Sequence, residues 1–294
     1  MPLHHYIEQY FQQHPETRSK GIPIENPPLE KRPKVLKIEE HTINTNSHQV
    51  PIRIYTPSQE EIYPLIIYFH GGDLLQGSLE THDVSCRLLS SLSGYKVLAI
   101  DYLNASPTIL ESCYMATKWI VEHANEYNGK STDIAIGGAS IGANLATAIV
   151  LKSIKTGEFH LAKQVLHYPI TDINNQIKGS KYQSRELYNG KYGLDISNVE
   201  AFSLYDEQEE IDYVSPIKTD QQLLAKMPKT LIFTTEYDPL CDEGELYAEK
   251  IKEAGVEVRL VRFDGGIHGF MQSFPGSPDY MRGYDITTEF LNND

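Results

Sequence analysis

Cysteine is scarce: Cys86, Cys113 and Cys241 are the only three in 294 residues. They are scattered without C-x-x-C spacing, which excludes a cysteine-based zinc site and a disulfide framework and leaves reduced, mostly buried thiols as the expectation. Basic charge is also short, with 26 Lys and Arg against 40 Asp and Glu and a net charge of −14. Nucleic acids and anionic membrane surfaces are polyanions that repel such a chain, so neither is expected as a partner. The opening stretch, MPLHHYIEQYFQQHPETRS, has no continuous apolar run of the signal-peptide kind, and no later segment is apolar for long enough to span a bilayer. The expectation is a soluble, cytoplasmic protein. Internal repeats and low-complexity tracts are lacking as well.

What is present is a 40% hydrophobic content, sufficient for a large core, in a pattern of strands alternating with helices. Val35–Ile43 and Gln49–Tyr55 read as an antiparallel edge hairpin around the polar turn Asn44-Thr45-Asn46-Ser47. Beyond it the spacing predicts strand Leu65–Phe69, helix Thr81–Ser91, strand Tyr95–Tyr102, helix Thr108–Tyr127 and strand Asp133–Ile136. After a helix over Asn144–Ile154 come strands Gln164–His167 and Thr230–Thr234, helix Glu243–Ala254, strand Glu257–Phe263 and a last helix near Tyr280–Leu291. The alternation implies a mostly parallel sheet flanked by helices, with a core over 35–170 and 228–294. Residues 1–34 and 171–227 fall outside the pattern and together are read as a cap over the carboxyl ends of the strands. The bland alternative makes 1–34 a flexible arm and DEQEEID, at 206–212, a solvated acidic loop; for the acidic run that reading is the better one.

The stretch GGASIGANLA, 137–146, sets Ser140 between Gly138 and Gly142 at a predicted strand-to-helix corner. A G-x-S-x-G elbow there lifts the serine oxygen clear of the sheet, although a helix-opening serine is more often a cap than a nucleophile. The distinction depends on partners, because a hydroxyl needs an imidazole to take its proton and the imidazole needs a carboxylate behind it. His268, in the Gly-flanked loop after strand Glu257–Phe263, is the histidine beyond the strand that carries the acid. Asp238 ends strand Thr230–Thr234 and is preferred over Glu236 and Asp242, since Pro239 fixes a turn that aims it while Asp242 is placed to cap the next helix. Backbone donors for an oxyanion are expected from Gly71, Gly72 and Ile141. His70 is set aside as a base and expected to shape the glycine loop.

With these stretches in hand, the chain resembles the hormone-sensitive-lipase-like carboxylesterases of the α/β-hydrolase fold. The matching motifs are HGGD at 70–73, GSLETHD at 77–83, GASIGANLA at 138–146, SPI at 215–217, TTEYDPLCDEG at 234–244 and GGIHGFMQ at 265–272. The resemblance implies a serine esterase without cofactor or metal, often selective for short acyl chains, with Ser140, Asp238 and His268 as its triad. Its substrate would be a small ester, and a homodimer is a possible assembly. The chain departs from the family at Asp73, where a third glycine is usual, at Ala139, where Asp or Thr is usual, and at Tyr102-Leu103-Asn104-Ala105-Ser106-Pro107, where Tyr-Arg-Leu-Ala-Pro-Glu is usual. Two other readings use the same residues: a non-catalytic small-molecule sensor, expected to have lost a triad member, and an amidase or peptidase.

Overall fold

The computed structural model describes residues 1–45, 49–72, 77–102, 109–173, 177–197 and 210–293. Among them, eight strands form one sheet: β1 Lys37–Asn44, β2 Gln49–Thr56, β3 Tyr63–Phe69, β4 Lys96–Ile100, β5 Gly129–Ala139, β6 Lys163–His167, β7 Lys229–Tyr237 and β8 Val258–Ile267. Their spatial order is β1-β2-β4-β3-β5-β6-β7-β8. β1 and β2 pair as the expected antiparallel hairpin, and β2 also runs against β4. From β4 to β8 every pairing is parallel. The helices are α1 His5–Gln13, α2 Thr17–Lys20, α3 Asp83–Ser93, α4 Ile109–Glu122, α5 Ile141–Thr156, α6 Gln183–Tyr188, α7 Ile211–Val214, α8 Gln221–Leu224, α9 Cys241–Glu253, α10 Phe270–Ser273 and α11 Pro278–Asn292.

The central strands are apolar on both faces, as a sheet covered on both sides requires. In β3, Leu65, Ile67 and Phe69 join the core layer that holds α4, α5 and α9. The alternate residues Ile66 and Tyr68 face the layer built from α1, α3 and α11. Each fully buried aliphatic side chain in these layers contributes roughly 1.5–3 kcal/mol. The parallel strands also all point their carboxyl ends to one edge, which is where the candidate residues gather.

Three differences from the sequence reading have physical causes. The helix expected to reach Tyr127 stops at Glu122, where His123 stacks on Trp119 and its Nδ1 lies 2.9 Å from the Trp119 carbonyl oxygen; a single 3₁₀ turn, Ala124–Tyr127, follows. Strand β8 continues beyond Phe263 to Ile267, re-pairing with β7 at Tyr237 after a bulge. That extension brings the loops carrying the expected acid and base side by side. Asp242 does not cap α9: the N-cap is Leu240, without a side-chain bond, and Asp242 instead accepts the Ser184 N–H at 2.8 Å. The four residues of the hairpin turn and the acidic run lie partly outside the described residues, as do Asp73, 103–108 and Tyr205.

Residues 1–34 are not a free arm. Ile7 and Phe11 of α1 are buried in the layer with Phe270, Met271 and Phe274. The His4 N–H donates to the Gly265 carbonyl at 3.0 Å, and the Gly193 N–H donates to the Arg18 carbonyl at 2.8 Å. The guanidinium of Arg18 lies 4.4 Å from the Phe11 ring and 5.5 Å from the Tyr192 ring, so the N-terminal segment and the 171–197 segment hold each other.

That second segment is fixed to the core by a buried ion pair. Arg185 on α6 and Glu243 on α9 are 1% and 0% exposed and bond directly. Glu243 also accepts the N–H groups of Thr171 at 2.8 Å and Asp172 at 3.2 Å, while the guanidinium donates to the Asp172 carbonyl at 2.8 Å. The SPI motif completes the attachment: Ser215 Oγ accepts the Ile173 N–H at 2.9 Å, and the Ile217 N–H donates to the Thr171 carbonyl at 3.0 Å.

Candidate active site

Ser140 stands between the last residue of β5 and the first of α5 with φ 56° and ψ −118°. This left-handed conformation costs a non-glycine residue of order 1–3 kcal/mol and persists only where the surroundings enforce it. They do so through the Ser140 N–H, which donates to the His167 carbonyl at 2.9 Å, and through the Ser140 carbonyl, which opens α5 by accepting the Ala143 N–H at 3.1 Å. The flanking glycines are a matter of close approach. A Cβ on Gly142 would sit 2.3 Å from the carbonyl oxygens of Phe69 and His70, and one on Gly138 would sit 2.5 Å from the Gly142 carbonyl. Gly142→Ala is therefore expected to displace the oxyanion loop or the elbow and to lower kcat/KM at least tenfold, which steady-state kinetics on a folded sample checks.

His268 follows directly on β8 and presents Nε2 to Ser140 Oγ at 2.9 Å. Its Nδ1 lies 2.7 Å from Asp238 Oδ2. Asp238 is 1% exposed and is held from behind by the Thr235 hydroxyl at 3.1 Å and the Leu240 N–H at 2.8 Å. The competing acids are occupied elsewhere. Glu236 accepts the Gly265 N–H at 2.8 Å, and Asp242 accepts the Ser184 N–H at 2.8 Å. Of the three carboxylates weighed from sequence, Asp238 is thus the one brought to the imidazole.

The expected oxyanion donors divide. The Gly71 N–H is already engaged, donating to His82 Nε2 at 3.1 Å, so Gly71 is corrected from a donor to part of the loop's scaffold. Gly72 and Ile141 remain, and among the described residues neither N–H has a partner. His70 shapes the loop as expected: it stacks on Tyr102 with ring centroids 4.2 Å apart, and the Tyr102 hydroxyl donates to the His70 carbonyl at 3.0 Å.

Several residues of the site were not singled out from the sequence. Tyr168, one residue past β6, has φ 41°, packs edge-on against His268 with centroids 4.9 Å apart, and bonds through its hydroxyl to Gln272. Its signal was topological, since β6 neighbours β5 and its carboxyl end must lie beside the elbow. A cavity of about 580 Å³ opens above Ser140 and His268. Its walls include Ile22, Ile24, Leu194 and Tyr168, contributed by the N-terminal segment, the 193–195 segment and the end of β6.

Burial pushes His70 down to about 4 and His167 to about 3 from the ordinary 6.5, so both imidazoles are neutral in the folded protein. An unfolded histidine begins to bind its proton near pH 6.5, so between pH 6.5 and 4 the unfolded chain takes up more protons than the native one, and stability falls as pH falls. Each such histidine contributes about 1.4 kcal/mol per pH unit in that window. The urea midpoint is expected to decline steadily from pH 7 to 4.5; a midpoint constant over that range would contradict the neutral, buried state of both rings.

Comparison with known proteins bears on the fold and the family. The family model of the alpha/beta hydrolase fold matches residues 66–272. The chain belongs to that family, as one of its hormone-sensitive-lipase-like carboxylesterases, and it is a carboxylic ester hydrolase. It is similar to an arylesterase of Saccharolobus solfataricus, 32% identical over 276 residues, covering 91% of this chain and 84% of the relative. It is also similar to an ethyl acetate hydrolase of Pseudomonas putida, 29% identical over 237 residues, covering 77% of this chain and 73% of the relative. Among solved structures, a hyperthermophilic esterase from Pyrobaculum calidifontis superposes with a TM-score of 0.83 at 29% identity, covering 99% of this chain and 98% of that one.

Proposed function

We propose that the chain hydrolyses esters of short acyl chains, with Ser140 as nucleophile, His268 as general base and then acid, and Asp238 as the carboxylate that orients and stabilises the imidazolium. The observation that carries this reading is the hydrogen-bonded chain from Ser140 Oγ to His268 Nε2 at 2.9 Å and from His268 Nδ1 to Asp238 at 2.7 Å. His268 takes the hydroxyl proton as Oγ attacks the ester carbonyl. The resulting oxyanion is met by the N–H groups of Gly72 and Ile141, donors whose loss typically costs about 10²–10³ in rate. His268 then protonates the departing alcohol, and a water activated by the same imidazole releases the acid from Ser140. No cofactor or metal enters these steps. A sensor is not favoured, since such a protein has no use for an assembled triad on a strained elbow. An amidase or peptidase would share the chemistry and differ only in the pocket.

The acyl preference follows from the cavity. Its 580 Å³ must hold both halves of the ester, and Ile22, Ile24 and Leu194 give its lining apolar side chains. Residues 1–34 and 171–227 act in this reading as the cap. Acetyl to butyryl esters are expected to give the highest kcat/KM in a nitrophenyl ester series from acetate to palmitate, assayed below solubility limits. Beyond the pocket each added methylene forfeits the roughly 0.8 kcal/mol that burying it would contribute. A maximum at eight carbons or longer, or activation at an emulsion interface, would overturn the short-chain reading.

Among the described residues no helix is long and apolar enough to cross a membrane. The three cysteines are buried and free, which supports a reducing, cytoplasmic compartment. A second copy of the chain is the proposed macromolecular partner, since among the described residues β8 is the last strand of the sheet and its Leu260 is exposed; sedimentation at micromolar concentration tests it, and a monomer throughout would remove it.

A further inference from the structure

His82 is a buried histidine outside the triad, 2% exposed, with both ring nitrogens engaged. Its Nε2 accepts the Gly71 N–H at 3.1 Å, which requires the proton to be on Nδ1. Nδ1 faces Thr81 Oγ1 at 3.0 Å. That hydroxyl is itself fixed: it donates to the Ser78 carbonyl at 2.9 Å and accepts the Ser78 N–H at 3.0 Å, so it meets His82 as an acceptor. One imidazole tautomer is thereby selected by a turn that is complete without it.

The segment bearing this turn lies flush against the glycine loop. A Cβ on Gly77 would come within 2.3 Å of the Gly71 carbonyl oxygen, 2.9 Å of His70 Nδ1 and 3.1 Å of Gly72 Cα. From the other side, Tyr102 holds the His70 carbonyl at 3.0 Å. The peptide joining His70 to Gly71 is therefore pinned at both its oxygen and its nitrogen. The next peptide carries the Gly72 N–H, one of the two donors left for the oxyanion.

We propose that His82 is a positioning residue for ester hydrolysis: by accepting the Gly71 N–H it fixes the peptide plane that aims the Gly72 N–H at the transition-state oxyanion. A second consequence is exclusion. With His82 as its acceptor, the Gly71 N–H cannot turn toward the substrate, so a single geometry of the loop is available before substrate arrives. Burial holds the His82 pKa well below its ordinary value, and the ring stays an acceptor across the working pH range. Among the described residues His82 hydrogen-bonds to Gly71 and Thr81 and to neither the nucleophile nor the base, although its ring also lines the cavity above them.

The proposal rests on Gly72 and Ile141 as the oxyanion donors, and the test separates the two. For the wild-type protein, a trifluoromethyl ketone, which forms an oxyanion on Ser140, is expected to bind at least 10²-fold more tightly than the matching methyl ketone. If the wild type lacks that preference, the oxyanion reading and this proposal fall together. Given the preference, His82→Asn keeps an amide beside Thr81 but does not reach Gly71, whereas the longer His82→Gln places an acceptor near the Nε2 position. His82→Asn is expected to lower kcat about tenfold with KM within about twofold, and to lower trifluoromethyl ketone affinity by the same factor while methyl ketone affinity stays. His82→Gln is expected to return kcat to within about threefold of wild type. Wild-type kcat in His82→Asn, a loss carried by KM, or an equal loss in His82→Gln would overturn the proposal. Should His82→Asn not fold, Thr81→Val frees Nδ1 and is expected to lower kcat about threefold with KM unchanged; an unchanged kcat there would count against it equally.

Discussion

Ser140→Ala and His268→Ala are each expected to lower kcat for nitrophenyl acetate by about 10³-fold or more while leaving the thermal transition near that of wild type. The two act as one unit, so the double variant should lose little beyond either single one. Asp238→Asn is expected to be similarly severe, because an amide behind Nδ1 neither selects the required tautomer nor stabilises the imidazolium. The neighbouring acids provide the control. Glu236 and Asp242 are bonded to the backbone N–H groups of Gly265 and Ser184, so Glu236→Gln and Asp242→Asn should disturb loop docking and keep kcat within about tenfold. A near-wild-type Asp238→Asn beside an inactive Glu236→Gln or Asp242→Asn would reassign the acid.

The second large effect is on stability. Arg185→Met leaves the Glu243 carboxylate fully buried with only the Thr171 and Asp172 N–H groups to meet it. Breaking one side of a buried ion pair costs about 3–5 kcal/mol, which for a chain of this size corresponds to a fall in Tm of about 10 °C by scanning calorimetry. Activity should fall as well. The Ser184 hydroxyl beside Arg185 donates to the Pro239 carbonyl at 3.0 Å, so loosening α6 disturbs the turn that carries Asp238. Replacing both partners with apolar residues, as in Arg185→Met with Glu243→Leu, should recover much of the lost stability, because no buried charge is then left alone. A Tm within about 2 °C of wild type for Arg185→Met alone would show that water or another group satisfies Glu243.

The hydrogen-bonded trio was legible in sequence because each member sits where a predicted strand ends, in the order Ser140, Asp238, His268, and because glycines flank both the serine and the histidine. Alternation of strand and helix sufficed for the sheet, including the edge hairpin. Other features depend on what folding brings together. A tyrosine following β6 has no local mark of function, yet Tyr168 lies against His268 because β6 pairs with β5. The Gly71 N–H reads as a donor because a glycine without a side chain lets its backbone approach a substrate oxygen, and only the approach of His82 from eleven residues away engages it elsewhere. Arg185 lies in the polar 171–227 stretch, which reads only as cap, and its burial is decided by Glu243, 58 residues on. Asp242 stands where helix caps often stand, but the Ser184 N–H competed for it.

The most direct measurement of the central claim is covalent labelling with a fluorophosphonate followed by peptide mass spectrometry. The phosphonyl group should be found on Ser140 alone, at a stoichiometry approaching one per chain and in step with loss of esterase activity. His268→Ala should label slower by orders of magnitude. Labelling at another serine in step with inactivation, or full inactivation with Ser140 unmodified, would contradict the assignment of the nucleophile and with it the account of the site.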